Sequence, residues 1–427
     1  MNIPSRVDTV VIGAGQSGLT MSSYLSRGGR DHVVLERRSS LGGGWQDRWN
    51  AFRLVTPNWC VSFPGQPYGG SDPDGFMPRD EVVERVARYA ATIGAPVALD
   101  TGVQRLARRP DGRFILDTNR GRMAADQVVV ATGGFQVPWI PPIARDLPAR
   151  VTQLHSHEYR TESALPPGGV LVVGSGQSGV QIAEELREAG RPVFLSVGSA
   201  GRVPRRYRGH DVFAWLASLL IRGPAFGVGF PTVDQLPDPR ARLAGNPHLS
   251  GHRGGYETNL RKFAAEGMTL LGRIERVGGE RLILAPDLPA KLALADRFFD
   301  ERFRPPIETY IERAGIEVPP DDREPVDYEP PAPEGLDLAA AGIATVLWTS
   351  GYRLDYSWID LPIVDEMGFP RHLRGVSDVP GLFFLGLPWQ HQLPSATLFG
   401  PHVDGAYLAA KLGLPPLEEP PPLPLPS

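Results

Sequence analysis

The amino-acid sequence predicts an α/β fold of two parallel-sheet units, the second inserted into the first. Three observations predict it. A buried apolar run, Val170–Val173, leads into the turn Gly174-Ser175-Gly176-Gln177-Ser178-Gly179 and then a helical stretch, Val180–Ala189. Nearly the same phrase opens the chain, where Val10–Ile12 runs into Gly13-Ala14-Gly15-Gln16-Ser17-Gly18. Third, 427 residues, 41% hydrophobic and 22% charged, exceed what one compact core accommodates. A turn of this form lets a pyrophosphate approach the backbone and rest on a helix N-terminus, where free N–H groups and the dipole favour negative charge. One G-x-G-x-x-G says little, because glycine-rich turns also arise for structural reasons. Two suggest two dinucleotides, and hence two Rossmann-like dinucleotide-binding domains.

Composition narrows the partners. The formal charge of −4, with no basic block, gives no indication of nucleic acid binding. A lone cysteine, Cys60, excludes an intramolecular disulfide and any C-x-x-C redox centre, and fits a reducing, cytoplasmic setting. Met1–Asp8 leads straight into the first strand, so no signal peptide is expected. Val212–Phe230 is the most apolar stretch, but Arg222, Gly223 and Pro224 interrupt it. It reads as a helix over a pocket or between domains, and no transmembrane segment is expected.

In chain order, the first turn opens a helix, Leu19–Arg27, followed by a strand, His32–Leu35, that ends at Glu36. A carboxylate about 20 positions after the glycines accepts hydrogen bonds from ribose hydroxyls and repels a 2′-phosphate, which suits the AMP half of FAD or NAD. Gly42-Gly43-Gly44 brings the backbone close to something flat or phosphorylated, and Trp45 and Trp49 read equally well as packing aromatics. Pro78–Gly94 has a helical apolar stripe, with Asp80 as the cap and Gly94 as the stop. Short strands then follow from Val97 to Val130, ending in Ala131-Thr132-Gly133. After the second turn, a strand over Pro192–Val197 contains Ser196 and no acidic residue. Arg202, Arg205 and Arg206 come soon after, and guanidinium matches phosphate geometry, so NADPH is preferred over NADH; a solvated basic loop in an arginine-rich chain is the alternative. Prolines break 210–261 into short pieces, and Leu292–Arg313 reads as a helix broken at Pro305-Pro306. Phe213, Trp215, Leu216, Leu219, Leu220 and Phe226 either line a substrate pocket or pack as core. Ala344–Thr349 and Gly381–Gly386 read as strands returning to the first domain, and Leu387–Gly400 leads into the helix His402–Leu412. The tail from Pro415 reads as extended.

Taken together, these segments resemble the class B flavoprotein monooxygenases, which comprise flavin-containing monooxygenases, N-hydroxylases and Baeyer–Villiger monooxygenases. The matching residues are the two turns, Glu36, Gly42–Trp45, Ala131-Thr132-Gly133 and Trp348-Thr349-Ser350-Gly351-Tyr352. The last departs from the usual A-T-G, a segment that links nucleotide domains in such proteins. The family's linking fingerprint is F-x-G-x-x-x-H-x-x-x followed by an aromatic residue or Pro. His155, Tyr159 and Arg160 fit its second half, whereas Ala149 and Val151 replace the Phe and Gly. Tyr159 stands where Baeyer–Villiger enzymes favour Trp or Pro, which tilts the expectation towards N- or S-oxygenation or hydroxylation. His155-Ser156-His157 has no carboxylate or thiol cluster to complete a metal site, and none is expected.

The resemblance implies an FAD-binding domain (1–150 and 335–427) and an inserted NADPH-binding domain carrying a substrate-pocket insertion (151–334). The implied cofactor contacts are Gly13, Gly15, Gln16, Ser17, Gly18, Glu36, Gly44, Trp45, Thr56, Val103, Ala131, Thr132, Gly133, Ser350, Gly351, Gly386, Leu387 and Gln392, with Gly174, Ser175, Gly176, Gln177, Ser178, Gly179, Ser196 and the three arginines for NADPH. Asn58 aligns with an asparagine near the flavin's reactive edge and is the implied catalytic residue; a plain Pro-Asn turn is the alternative. The implied reaction forms a flavin C4a-hydroperoxide from NADPH and O2 and transfers one oxygen atom to a small organic substrate. Two other readings use the same sites: an NADPH oxidase or quinone reductase, and a non-catalytic redox-sensing or transport-associated flavoprotein. A homodimer stays open.

Overall fold

Short runs of valine, isoleucine and leucine, buried on both faces, assemble into two parallel sheets, one behind each glycine turn. The computed structural model describes residues 3–415 except 244 and 325, so the tail beyond Pro415 lies outside the described residues. In the first sheet, Arg6–Ile12 lies between His32–Leu35 and Gly121–Val130, with Val97–Ala98 outside the former and Leu382–Phe384 outside the latter, all parallel. Phe114–Thr118 and Val103–Arg108 add an antiparallel flap on Gly121–Val130. The second sheet has the same plan: Gly169–Val173 lies between Val193–Ser196 and Ile343–Trp348, flanked by Thr269–Leu271 and Thr152–His155. In each sheet the first strand ends where the strand order reverses, the place where parallel sheets leave a crevice for ligands.

One expectation is corrected. The sequence places Ala344–Thr349 with the first domain, but Ile343–Trp348 pairs on both sides in the second sheet, with Val346 opposite both Leu171 and Gln153. The second unit therefore continues past 335 to Trp348, and the chain crosses back at Thr349–Gly351. A strand buried on both faces has the same local pattern in either sheet, and long-range register decides which sheet it joins.

The helices are α1 (Gln16–Arg27), α2 (Arg79–Thr92), α3 (Gln177–Glu188), α4 (Val212–Ile221), α5 (Leu260–Ala265), α6 (Leu288–Arg302), α7 (Arg304–Ala314) and α8 (Gly400–Lys411). α2 starts after Pro78, and Asp80 lies inside its first turn beside Arg79 rather than capping it. The break in the last long helical stretch falls at Phe303, two residues ahead of the expected prolines. Pro305 and Pro306 occupy the first turn of α7, where a missing N–H leaves no bond unmade. Among the described residues no helix is long and apolar enough to cross a membrane.

Candidate cofactor and active site

The two turns have matching geometry. Gly13 has φ +104°, and a Cβ there would lie 2.7 Å from the Ala131 carbonyl; Gly174 has φ +107°, and its Cβ would lie 2.8 Å from the Thr349 carbonyl. Both positions exclude side chains by backbone conformation and by close approach to the crossing strand. The last glycines, Gly18 and Gly179, would drive a Cβ into the Gly13 and Gly174 carbonyls respectively. The middle glycines differ. A Cβ on Gly176 would meet nothing within 4 Å, and one on Gly15 only Gly43 Cα at 3.9 Å. Nothing in the fold requires glycine there, whereas a diphosphate approaching the backbone does. The cradles fit dinucleotides.

Around the first turn, Glu36 is buried and accepts from Ala14 N–H at 2.8 Å and Arg38 N–H at 3.0 Å. A carboxylate has further lone pairs for ribose hydroxyls. Trp45 Nε1 donates to Gln16 Oε1 at 3.1 Å, and Gln16 Nε2 donates to the Thr397 carbonyl at 2.8 Å. These bonds tie the triple-glycine loop and the α8 approach to the N-terminus of α1. Gly44 is exposed, Ser17 is packed under Gly386, and Val103 starts the antiparallel flap. Thr132 Oγ1 accepts from Gln136 Nε2 at 3.0 Å, just past the buried Ala131. The sequence reading missed Gln390, which is fully buried and accepts from Gly386 N–H at 2.9 Å and Leu387 N–H at 3.4 Å. Gln392 Nε2 donates to the Phe230 carbonyl at 3.2 Å in the inserted region.

Asn58 is buried in a 3-10 turn, and its Nδ2 donates to the Asp72 carbonyl at 2.9 Å. Among the described residues its Oδ1 and the neighbouring Thr56 Oγ1 are buried without partners, so this segment offers groups that accept hydrogen bonds as well as donate them. Unpaired buried polar atoms are costly and mark places where a ligand completes the network. Ala214 and Ala217 of α4 pack on Trp59, Cys60 and Phe399, closing this region from the inserted side. Of the apolar pocket candidates, Trp215 and Leu219 are core; Phe213, Leu216 and Leu220 are half-buried, and Phe226 is exposed.

The second turn holds its side chains more tightly than expected. Ser175 Oγ accepts from Gly198 N–H at 2.9 Å, and Gln177 is engaged with both backbone groups of Leu249. Ser175 Oγ keeps its own O–H to donate, and Ser178 is the third side chain expected at the cofactor. Ser196 Oγ donates to the Gly272 carbonyl at 3.0 Å. Arg202 pairs with Glu257 and Asp296. Arg205 is buried between Phe76 and Phe213, with Nε donating to Asp211 at 2.8 Å and Nη1 to the Val55 carbonyl at 2.7 Å. Burial lowers the Arg205 pKa and raises that of Asp211, each against the other's charge. The arginines are therefore not brought together as one phosphate clamp, and Arg206 is the exposed member. Lys291 of α6, which the sequence reading passed over, donates to the Val197 carbonyl at 2.7 Å, where the strand after the turn ends.

The departure from A-T-G has a structural role. Thr349 Oγ1 lies 2.9 Å from the Val173 carbonyl and 2.6 Å from that of Gly174, bracing the second turn from the crossing strand. His155 Nε2 donates to the Gly351 carbonyl at 3.0 Å while Nδ1 accepts from His157 N–H, and burial lowers its pKa. Ser350 Oγ donates to the Trp139 carbonyl. Tyr159 donates to Glu185 Oε1 at 3.0 Å, which joins the linking segment to α3.

Known proteins share this architecture. The profile of the pyridine nucleotide-disulphide oxidoreductase family matches residues 10–216, although the lone Cys60 is buried and leaves the chain without a redox dithiol. A CzcO-like oxidoreductase of Geobacillus kaustophilus is 32% identical over 408 residues, 94% of this chain and 97% of that one. Dimethylaniline monooxygenase 4 (N-oxide-forming) of Mus musculus is 30% identical over 210 residues, 44% of this chain and 37% of that protein. The flavin-containing monooxygenase of Stenotrophomonas maltophilia superposes with a TM-score of 0.65 at 21% identity, covering 97% of this chain and 99% of that one. The chain belongs to the CzcO-like oxidoreductases, and it shares the two-dinucleotide-domain fold of the flavin monooxygenases.

Proposed function

We propose that the protein binds FAD on the Gly13–Gly18 turn and NADPH on the Gly174–Gly179 turn, and oxygenates a small organic nucleophile, with N- or S-oxygenation or hydroxylation favoured over ketone oxidation. The observation that carries this reading is the pair of open middle glycines, Gly15 and Gly176, each at the reversal point of its own sheet. FAD supplies hydride acceptance and oxygen activation when bound. The chain's own part is to bind, orient and exclude water. Glu36 meets the adenosine ribose, Gln390 fixes the Gly386–Leu387 peptides beside the ring site, and α4 covers the Thr56–Cys60 segment. Asn58, with one amide hydrogen on Asp72 and its Oδ1 free, orients what enters that edge. Tyr159 in place of Trp or Pro supports the preference for heteroatom oxygenation or hydroxylation. A screen of amines, sulfides, ketones and aromatic compounds for stimulated NADPH oxidation, with hydrogen peroxide measured alongside, tests the proposal. Product equal to NADPH consumed supports it. Peroxide accounting for all of the NADPH with every compound points instead to an oxidase, and no oxidation at all to a non-catalytic flavoprotein.

A further inference from the structure

The inserted region reaches back to the second glycine turn through residues 245–249. A Cβ on Gly245 would lie 3.7 Å from Gly176 Cα. Leu249 N–H donates to Gln177 Oε1 at 3.2 Å, and the Leu249 carbonyl accepts from Gln177 Nε2. Between them, fully buried His248 donates through Nε2 to the Ser175 carbonyl, and its own N–H bonds the Gly201 carbonyl at 2.8 Å. A carbonyl only accepts, so Nε2 carries the proton; Nδ1 is then a bare lone pair, buried and without a partner among the described residues. This strap therefore lies along Ser175, Gly176 and Gln177, which lead into α3.

The consequence follows from peptide geometry. In a planar trans peptide, C=O and N–H point in opposite directions. Holding the Ser175 carbonyl towards His248 therefore aims the Gly176 N–H at the opposite side of the turn. Glycine lets a peptide rotate at little cost, so an unheld Ser175–Gly176 peptide would sample both orientations. We propose that His248 is a positioning residue of the nicotinamide-cofactor site, fixing the Ser175–Gly176 peptide so that Gly176 N–H faces the cofactor's diphosphate. The inference rests on the reading that the second turn takes NADPH.

The test compares the FAD-loaded wild type with His248→Leu, which removes the donor, and His248→Gln, which keeps an N–H of similar reach. NADP+ binding is measured by calorimetry, and KM and kcat by NADPH oxidation. The expected result is a rise of about tenfold in NADP+ Kd and NADPH KM for His248→Leu, with FAD content kept, kcat within about twofold, and most of the affinity restored in His248→Gln. Equal weakening by both variants, or an unchanged Kd in His248→Leu, overturns the role. If His248→Leu yields no FAD-loaded protein, histidine-selective nitrogen NMR of the wild type decides instead. A ring Nε2–H signal that shifts on NADP+ addition supports the role, and one that does not move overturns it. A wild type that fails to bind NADP+ at all refutes the cofactor reading itself, whereas weakening by Gly176→Ala but not by His248→Leu refutes only the inference.

Discussion

Replacing Gly176 by alanine separates ligand effects from fold effects unusually well. The residue has φ −69° and ψ 179°, which alanine adopts without strain, and its Cβ would meet no protein atom within 4 Å. Folding stability should therefore change by less than about 1 kcal/mol, because the stiffer unfolded chain offsets alanine's poorer fit at the N-cap of α3. The methyl group instead fills the space through which a diphosphate reaches the turn. Losing one charge-assisted hydrogen bond there costs about 1.5–3 kcal/mol, or roughly ten- to a hundredfold in NADPH affinity. Gly179→Ala is the contrasting control: its Cβ would strike the Gly174 carbonyl and lie 2.7 Å from Thr349 Oγ1, so it should lose about 1–3 kcal/mol of stability. The assay is NADPH KM by steady-state oxidation, with bound FAD and thermal midpoint measured on the same preparations. An unchanged KM in Gly176→Ala refutes the reasoning, and loss of FAD would mean that the two sites are reversed.

Other perturbations give distinct outcomes. Thr349→Val removes the hydroxyl bonded to the Val173 and Gly174 carbonyls and should destabilise the fold by about 1–2 kcal/mol, read from urea midpoints. Arg205→Ala strands Asp211 as a buried charge and should cost about 3–5 kcal/mol, whereas Arg206→Ala should leave stability unchanged; the opposite ranking in thermal denaturation would contradict the buried pair. Burial pushes the His248 and His372 pKa values down to about 4, so the unfolded chain takes up their protons first as pH falls below about 6.5. Stability should be full above that point and fall by up to about 3 kcal/mol per histidine towards pH 4, which denaturation curves at stepped pH will show. Asn58→Ala should keep NADPH oxidation but shift its product towards hydrogen peroxide, and an unchanged product yield per NADPH would remove the role.

The sequence made legible what local chemistry dictates. Gly13 and Gly174 are forced by turn geometry, and Glu36 by its register with the glycines, so all three stand out in one dimension. Ile343–Trp348 does not, because its pairing with Leu171 and Gln153 is settled by residues far away in the chain. The roles of Ser175 and Gln177 were also hidden. Both sit in the motif, but their direction depends on Gly198 and Leu249, which arrive from other segments. Arg205 looked free for phosphate because its partner Asp211 and the two flanking rings become visible only after folding. His248 carried no signal beyond a histidine after a proline, and Lys291 and Gln390 none beyond their helix and loop.

The most direct test of the central claim follows labelled dioxygen through the reaction. The FAD-loaded protein is supplied with NADPH, 18O2 and a compound that stimulates NADPH oxidation, and product, water and peroxide are analysed together. The account predicts one labelled oxygen atom in the product for each NADPH consumed, with little peroxide. NADPH consumption with no label in any organic product, and all of it recovered as peroxide or reduced acceptor, would contradict it.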